Sequence, residues 1–498
     1  MDGPVVIAQA ERPDVERDIE GDTERPDAAA ERAWRAGDAS AAIEAADRAL
    51  AAGADPQGRA AAVAAAGAAA DGGLLDAAAR WRGIAGTVDG ATASRARGRA
   101  ALAAGLAGDL AAAIDDLTEA HRCLPDPAPR ALTVLLGGAG AVVEAMAGEF
   151  DRASRHLAGL AAATVAPDPI AAERFDDLAA AVTAAGGGLD AARAMLRGAV
   201  SPTTRGRLLA AWLDLRTGHL AQARDGLAAA AGPPVLRRDA LLGVAVGVGL
   251  ARRSGDGQVL AATWHRVASV TAGADVEPLL LDVWGELSVA AAQVSPADRD
   301  VIVEAMHAAV VRAGSPGWAA GTEQWWRLER ATATGDVGEA SGAATRLAEL
   351  AATHPHLHAK AAAATAWVAV LGGRVCPTTV DAAANALAEA GLRVEAAALC
   401  RAAATRTADP AAARRLLGTG RGLRTASTAT GRATPGGLSD REREVGALVV
   451  DGLTHREIGA RLYISPKTVE QHVARLRQKL AASNRATLVA ALRPHLDD

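Results

Sequence analysis

A glycine followed five residues later by an alanine recurs along most of the chain, at Gly37/Ala42, Gly72/Ala77, Gly108/Ala113, Gly148/Ala153, Gly187/Ala192, Gly218/Ala223 and Gly335/Ala340. Between the first six pairs the step is 31 to 40 residues. A beat of that length points to one supersecondary unit stacked many times over, and it narrows the fold more than any overall percentage does. The residue types explain the unit. Glycine ends one helix in a left-handed turn, and an acid just after it opens the next helix near its positive end. The alanine then lets two helices approach closely. A weaker unit near Gly255 and the pair Gly372–Gly373 keep roughly the same time.

Composition agrees with this reading. Half of the 498 residues are hydrophobic but only 2% are aromatic, so alanine and leucine supply the apolar surface. Alanine favours helix and disfavours strand. The expected fold class is therefore all-α. Residues 28–413 read as a solenoid of helical hairpins that resembles the tetratricopeptide repeat in residue type and spacing. Its units are longer than that family's usual length of about 34 residues, and most lack its aromatic positions. Residues 1–27, rich in acids and prolines, are expected to be disordered.

Several function classes find no support. Cys123, Cys376 and Cys400 are far apart and odd in number, as expected of buried thiols in a reducing cytoplasm. The N-terminus has no basic segment leading into an apolar one, and the longest apolar run, 241–251, is too short to span a bilayer. A cytoplasmic protein without a membrane partner is expected. No G-x-x-x-x-G-K-[ST] loop and no H-E-x-x-H pair occurs, so neither nucleotide, metal nor other cofactor is expected, and no catalytic constellation stands out. Six tryptophans between Trp264 and Trp367 suit core packing better than a ligand groove. His354, His356 and His358 suit an exposed helix junction around Pro355 better than a metal site.

Charge is distributed unevenly. The chain carries a net −5, yet from Arg401 onward 17 basic side chains face 9 acidic ones, which leaves the first 400 residues at −13. An acidic body with a basic tail fits a module that meets phosphate. Residues 414–436, rich in glycine, threonine and arginine, read as a flexible basic linker. Beyond it, residues 437–498 read as four short helices. Ser439 to Glu442 and Thr454 to Glu457 are capping boxes, Ser465-Pro466 opens the third helix, and the fourth begins near Ser483-Asn484. On the third helix Val469, Val473, Leu476 and Leu480 form one apolar stripe, while the opposite face is polar, as a major-groove helix requires.

The run Leu438-Ser439-Asp440-Arg441-Glu442-Arg443-Glu444-Val445, then Gly452-Leu453-Thr454-His455-Arg456-Glu457-Ile458, then Ile464 to Val473, and finally Lys479-Leu480, resembles the LuxR-type helix-turn-helix DNA-binding domain. The resemblance covers about 55 residues, the C-terminal eighth of the chain. It implies a bacterial transcriptional regulator whose partner is double-stranded DNA, bound as a homodimer. Carried over position by position, Glu470, Gln471 and Ala474 sit where base edges are read, and Lys467, Thr468 and Lys479 where phosphates are held. The repeats before the module resemble those of MalT-like regulators and imply a sensor or partner-binding domain for a protein or small-molecule effector. The alternative is a repeat scaffold whose C-terminal module mainly dimerises or binds protein. Three departures stand out: Gly446 for a large aliphatic, which is expected to loosen the first helix; Ala481-Ala482 for Gly-Val; and Glu470 for a basic residue.

Overall fold

The computed structural model describes residues 26–53, 58–162, 174–199, 202–230, 236–429, 440–462, 466–480, 482 and 484–493. Among these are 27 α-helices, two 3-10 turns and no strand. The all-α expectation holds. The segment expected to be disordered lies outside the described residues up to position 25, and the first helix begins at Pro26.

The repeating beat has the structural meaning expected of it. All seven glycines are left-handed, with φ between 79° and 93°. All seven alanines five residues on have no exposed surface. Where an aspartate follows the glycine, it caps the next helix: Asp38 accepts from the Ala41 N–H and Asp109 from that of Ala112, and Asp336 does the same for Glu339. Successive helices pack as hairpins, and from Ala68 to Leu416 they share one core in which alanine is the commonest residue. The beat breaks between Gly257–Trp264 and Leu281–Val294. There a five-residue helix, Val267–Thr271, and the 3-10 turn Pro278–Leu280 replace a full hairpin.

The hairpins wind until one superhelical turn meets the next. Residues 166 to 205 positions apart touch along this seam. The Leu75 N–H donates to Asp275 at 2.9 Å, and Arg237 pairs with Asp71 at 3.0 Å. Arg312 donates to the Ala107 carbonyl at 2.7 Å, and the Trp318 indole to the Met146 carbonyl at 3.2 Å. Arg393 closes the series on Asp190 at 3.0 Å. Several repeat glycines face this seam. A Cβ on Gly108 would lie 2.8 Å from the Pro278 ring, and one on Gly72 would lie 3.2 Å from Ala274.

Charged residues are also buried inside the body. Glu286, with no exposed surface, receives hydrogen bonds from both Arg252 and Arg253 at 2.7 to 3.1 Å. Glu277 is held between Arg238 and Arg205. Burial alone would push the Glu277 carboxyl up, but the two guanidiniums bring it down to about 2. All six tryptophans from Trp264 to Trp367 are buried, in keeping with their reading as core. His354 and His356 flank Pro355 at a 3-10 junction, and no cluster of metal-ligating residues occurs among the described residues.

The linker reading needs a correction. Residues 414–429 are not a tether but the continuation of a helix, Pro410–Ala429. It packs on the helix Arg393–Arg406 because Leu416 is fully buried and Gly420 allows an approach in which a Cβ would lie 3.2 Å from that of Cys400. Of the glycines read as flexible, Gly420 thus serves a close helix–helix contact, while Gly418 and Gly422 have open space beside them. Residues 430–436 lie outside the described residues.

Candidate nucleic-acid interface

The C-terminal module is built from four helices: Asp440–Val450, His455–Leu462, Pro466–Lys479 and Arg485–Leu492. Gly452, with φ 86°, ends the first helix, and the Leu453 N–H turns back to the Leu448 carbonyl at 3.1 Å. The second helix starts on a complete capping box. The Thr454 N–H and hydroxyl both donate to Glu457 at 2.8 Å, and the Glu457 N–H donates to the Thr454 hydroxyl at 3.3 Å. Those donors hold the Glu457 carboxyl below its ordinary range. The box expected at Ser439 lies outside the described residues, as do the turn Tyr463-Ile464 and Ser465. The fourth helix has its own box: Thr487 donates its N–H to Asn484 at 2.9 Å, and the Asn484 N–H donates to the Thr487 hydroxyl at 3.0 Å.

The core orients the third helix. Val469, Val473 and Leu476 are buried against Val445, Val449, Ile458, Leu488 and Leu492, and Leu480 packs at the edge. Gly446 proves less disruptive than its residue type suggests. A Cβ there would lie 2.9 Å from Leu492, so the fourth helix occupies the space a large aliphatic would fill. Arg485 ties the fourth helix to the start of the second by donating to the Leu453 carbonyl at 2.8 Å.

With that stripe buried, the opposite face of the third helix is turned outward. Glu470 and Ala474, both expected at base edges, are exposed. Gln471, Lys467, Thr468 and Lys479 belong to the same helix, but their side chains lie outside the described residues. Arg477 is exposed as well. It falls at i, i+4, i+7 with Glu470 and Ala474, so one stripe carries an acid, a small residue and a guanidinium. Helical periodicity from Glu470 would have found it. His472, read as a packed structural residue, is half-buried.

A helix of this shape and polarity, presented by a second helix across a short connection, is the helix-turn-helix arrangement. The family model for bacterial regulatory proteins of the luxR family matches residues 437–492. The chain is 44% identical over 55 residues to the spore germination protein GerE of Bacillus subtilis, which is 11% of this chain and 74% of GerE. It belongs to the luxR family.

Other relatives match over the same module. The probable transcriptional regulatory protein NarL of Mycobacterium tuberculosis is 48% identical over 62 residues, or 12% of this chain and 29% of NarL. The transcriptional regulatory protein UhpA of Escherichia coli is 46% identical over 56 residues, or 11% and 28%. The luxR-family chain thus spans under a third of either of these two relatives. Over the whole chain, the structure titled APC/C hetero-tetramer Cut9-Hcn1 is similar at 14% identity with a TM-score of 0.33, covering 96% of this chain and 91% of that one. Among the described residues no helix is long and apolar enough to cross a membrane.

Proposed function

We propose that the protein is a cytoplasmic transcriptional regulator that binds double-stranded DNA as a homodimer, under the control of a small molecule or protein that engages its helical body. The observation that carries the DNA-binding reading is the outward stripe Glu470, Ala474 and Arg477 opposite the buried Val469, Val473 and Leu476. A helix meant to dock on protein would show apolar side chains there. Glu470, Gln471 and Ala474 read bases in this scheme. Glutamine pairs with adenine N6 and N7, and glutamate accepts from cytosine N4. Lys467, Thr468 and Lys479 hold phosphates, with Arg477 added to them. No catalytic role is assigned to any residue. Dimerisation would fall to the outer face of the fourth helix, where Ala486 and Arg493 are exposed beside Val489. Two modules on one dimer gain affinity by effective concentration.

The test is selection of preferred sites from random double-stranded DNA by the full-length protein and three variants. Lys467→Ala and Lys479→Ala are expected to weaken all sequences alike and to reduce the salt dependence by about one phosphate contact each. Gln471→Ala is expected to change which base is preferred. Unaltered preference in Gln471→Ala would remove it from the base-reading set. Absence of DNA binding by the folded chain at low salt would overturn the whole reading.

A further inference from the structure

Where the two superhelical turns meet, the body encloses a cleft of about 210 Å³. Leu189 of the first turn forms one wall, and Leu357 and Leu392 of the second form the other, while Arg216, Asp282 and Lys360 supply charge. The volume is below the roughly 300 Å³ at which drug-sized ligands begin to fit. The occupant is therefore small.

The charges in the cleft are not fully spent on one another. Asp282 is engaged twice, by Arg216 at 3.2 Å and by the Trp326 indole at 2.6 Å. Arg216 is buried between these groups, Glu395 at 3.5 Å and the ring of Trp326, yet its Nε finds no hydrogen-bond partner among the described residues. Lys360 makes neither a hydrogen bond nor a close ion pair with any described residue. Burial pushes its ammonium down from the ordinary lysine value, and Asp282 only partly offsets that. Nearby Glu329 is pushed up to about 7, by burial first and then by the charge of Glu395, so at and below neutral pH much of it is uncharged. The cation of this group that lacks a partner among the described residues is Lys360, on the cleft wall.

The choice of residue is informative. The chain has only three lysines, and the other two are Lys467 and Lys479 in the DNA-binding module. Every other cation of the body is an arginine, the residue suited to fixed, bidentate pairs with carboxylates. A lysine is a compact charge on a flexible stem, suited to an anion that comes and goes. A half-buried cation without a partner is stabilised by an anion that completes it.

We propose that this cleft is the effector site of the body and takes a small monocarboxylate, its carboxylate on Lys360 and its apolar part against Leu189, Leu357 and Leu392. The proposal rests on the sensor reading of the body given above. It gives that reading a mechanism, because the site draws its walls from both superhelical turns. Binding therefore favours the closed seam. Leu392 directly precedes the helix Arg393–Arg406, which packs on Pro410–Ala429, the last helix before the module.

The experiment uses the full-length protein with hexanoate, benzoate and phenylacetate, and with the three matching amides, read by thermal shift and calorimetry. At least one carboxylate is expected to raise Tm saturably, by about 3 °C at a hundredfold excess over its Kd, while its amide does not. Lys360→Met is expected to keep the circular dichroism spectrum and lose the shift, and Lys360→Arg to restore part of it. If no carboxylate binds, if amides bind equally, or if Lys360→Met binds as before, the assignment fails. DNA affinity separates this from the sensor reading. A carboxylate that binds but changes DNA affinity by less than about fivefold keeps the site and sinks its sensory role. Loss of carboxylate binding alongside a response of DNA affinity to a small-molecule cell extract does the reverse.

Discussion

The repeat body and the C-terminal module close their cores by different means. Among the described residues the module buries nine hydrophobic side chains, of which eight are valine, leucine or isoleucine, and it fixes its helix starts with reciprocal capping boxes. The body buries mainly alanine, which brings helices close but removes little apolar surface per residue from water. Its interior also holds buried arginine–carboxylate groups, costly to break once formed, and a seam between residues far apart in sequence. The two parts are therefore vulnerable in different places. The body depends on single charges and on contacts across the seam, and the module on aliphatic volume and local hydrogen bonds.

The largest expected effect is at Glu286. Replacing it with alanine leaves Arg252 and Arg253 buried without their shared partner, at a cost of about 3–5 kcal/mol. All nine tryptophans lie between positions 34 and 367, so tryptophan fluorescence during urea unfolding reports the body alone. Glu286→Ala should lower that midpoint without lowering the affinity of the still-folded protein for DNA. An unchanged midpoint would mean that the buried charge groups are not what holds the body together.

Glu329 sharpens the same point with the opposite sign. Its carboxyl titrates near 7 in the folded chain against an ordinary 4.5, because burial and then Glu395 disfavour its charge. A raised folded value means the associated stability is full below about 4.5 and is lost as pH rises through about 7. Glu329→Gln cannot ionise. It should therefore be more stable than the parent above pH 7 by roughly 1–3 kcal/mol, and similar to it at pH 4.5. Parallel pH–stability curves for the two proteins would contradict this.

The seam separates two glycines with the same backbone conformation. Gly108, with φ 85°, has the Pro278 ring 2.8 Å from where a Cβ would stand, whereas Gly335, with φ 79°, has nothing within 4 Å. Alanine at either position strains a left-handed turn by about 1 kcal/mol, and only at Gly108 must it also displace the opposing superhelical turn. Gly108→Ala should cost about 2 kcal/mol in urea unfolding and Gly335→Ala about half that. Equal costs would show that the seam yields freely.

These contrasts also mark what was legible in the sequence. The glycine–alanine beat located hairpin turns at all seven places because a left-handed turn and a close helix approach each demand a particular residue type locally. The module was legible for the same reason, its caps and stripe being set within a few residues. Arg477 was overlooked although its spacing from Glu470 was there to see. The helix Pro410–Ala429 was misread because Gly420 is a packing glycine, and nothing local tells it from a linker glycine. The seam and the cleft had no local signature at all. Lys360 meets Leu189 across 171 positions of sequence, and only the winding of the whole body brings them together.

The smallest effect tests the module's side of the comparison. Thr454 accepts from the Glu457 N–H while its own N–H and hydroxyl donate to the Glu457 carboxylate, all within the first turn of the second helix. Thr454→Ala removes the hydroxyl's share of that box and should cost about 1 kcal/mol. The loss is local, so global unfolding followed by tryptophan should not register it. Hydrogen exchange in the full-length protein should. Amides in 455–462 are expected to exchange about fivefold faster, with those of the body unchanged. Thr454→Ser keeps the hydroxyl and should return exchange to the parent rate. If Thr454→Ala also speeds exchange in the body, the two regions are energetically coupled, and the division into a seam-dependent body and a locally capped module breaks down.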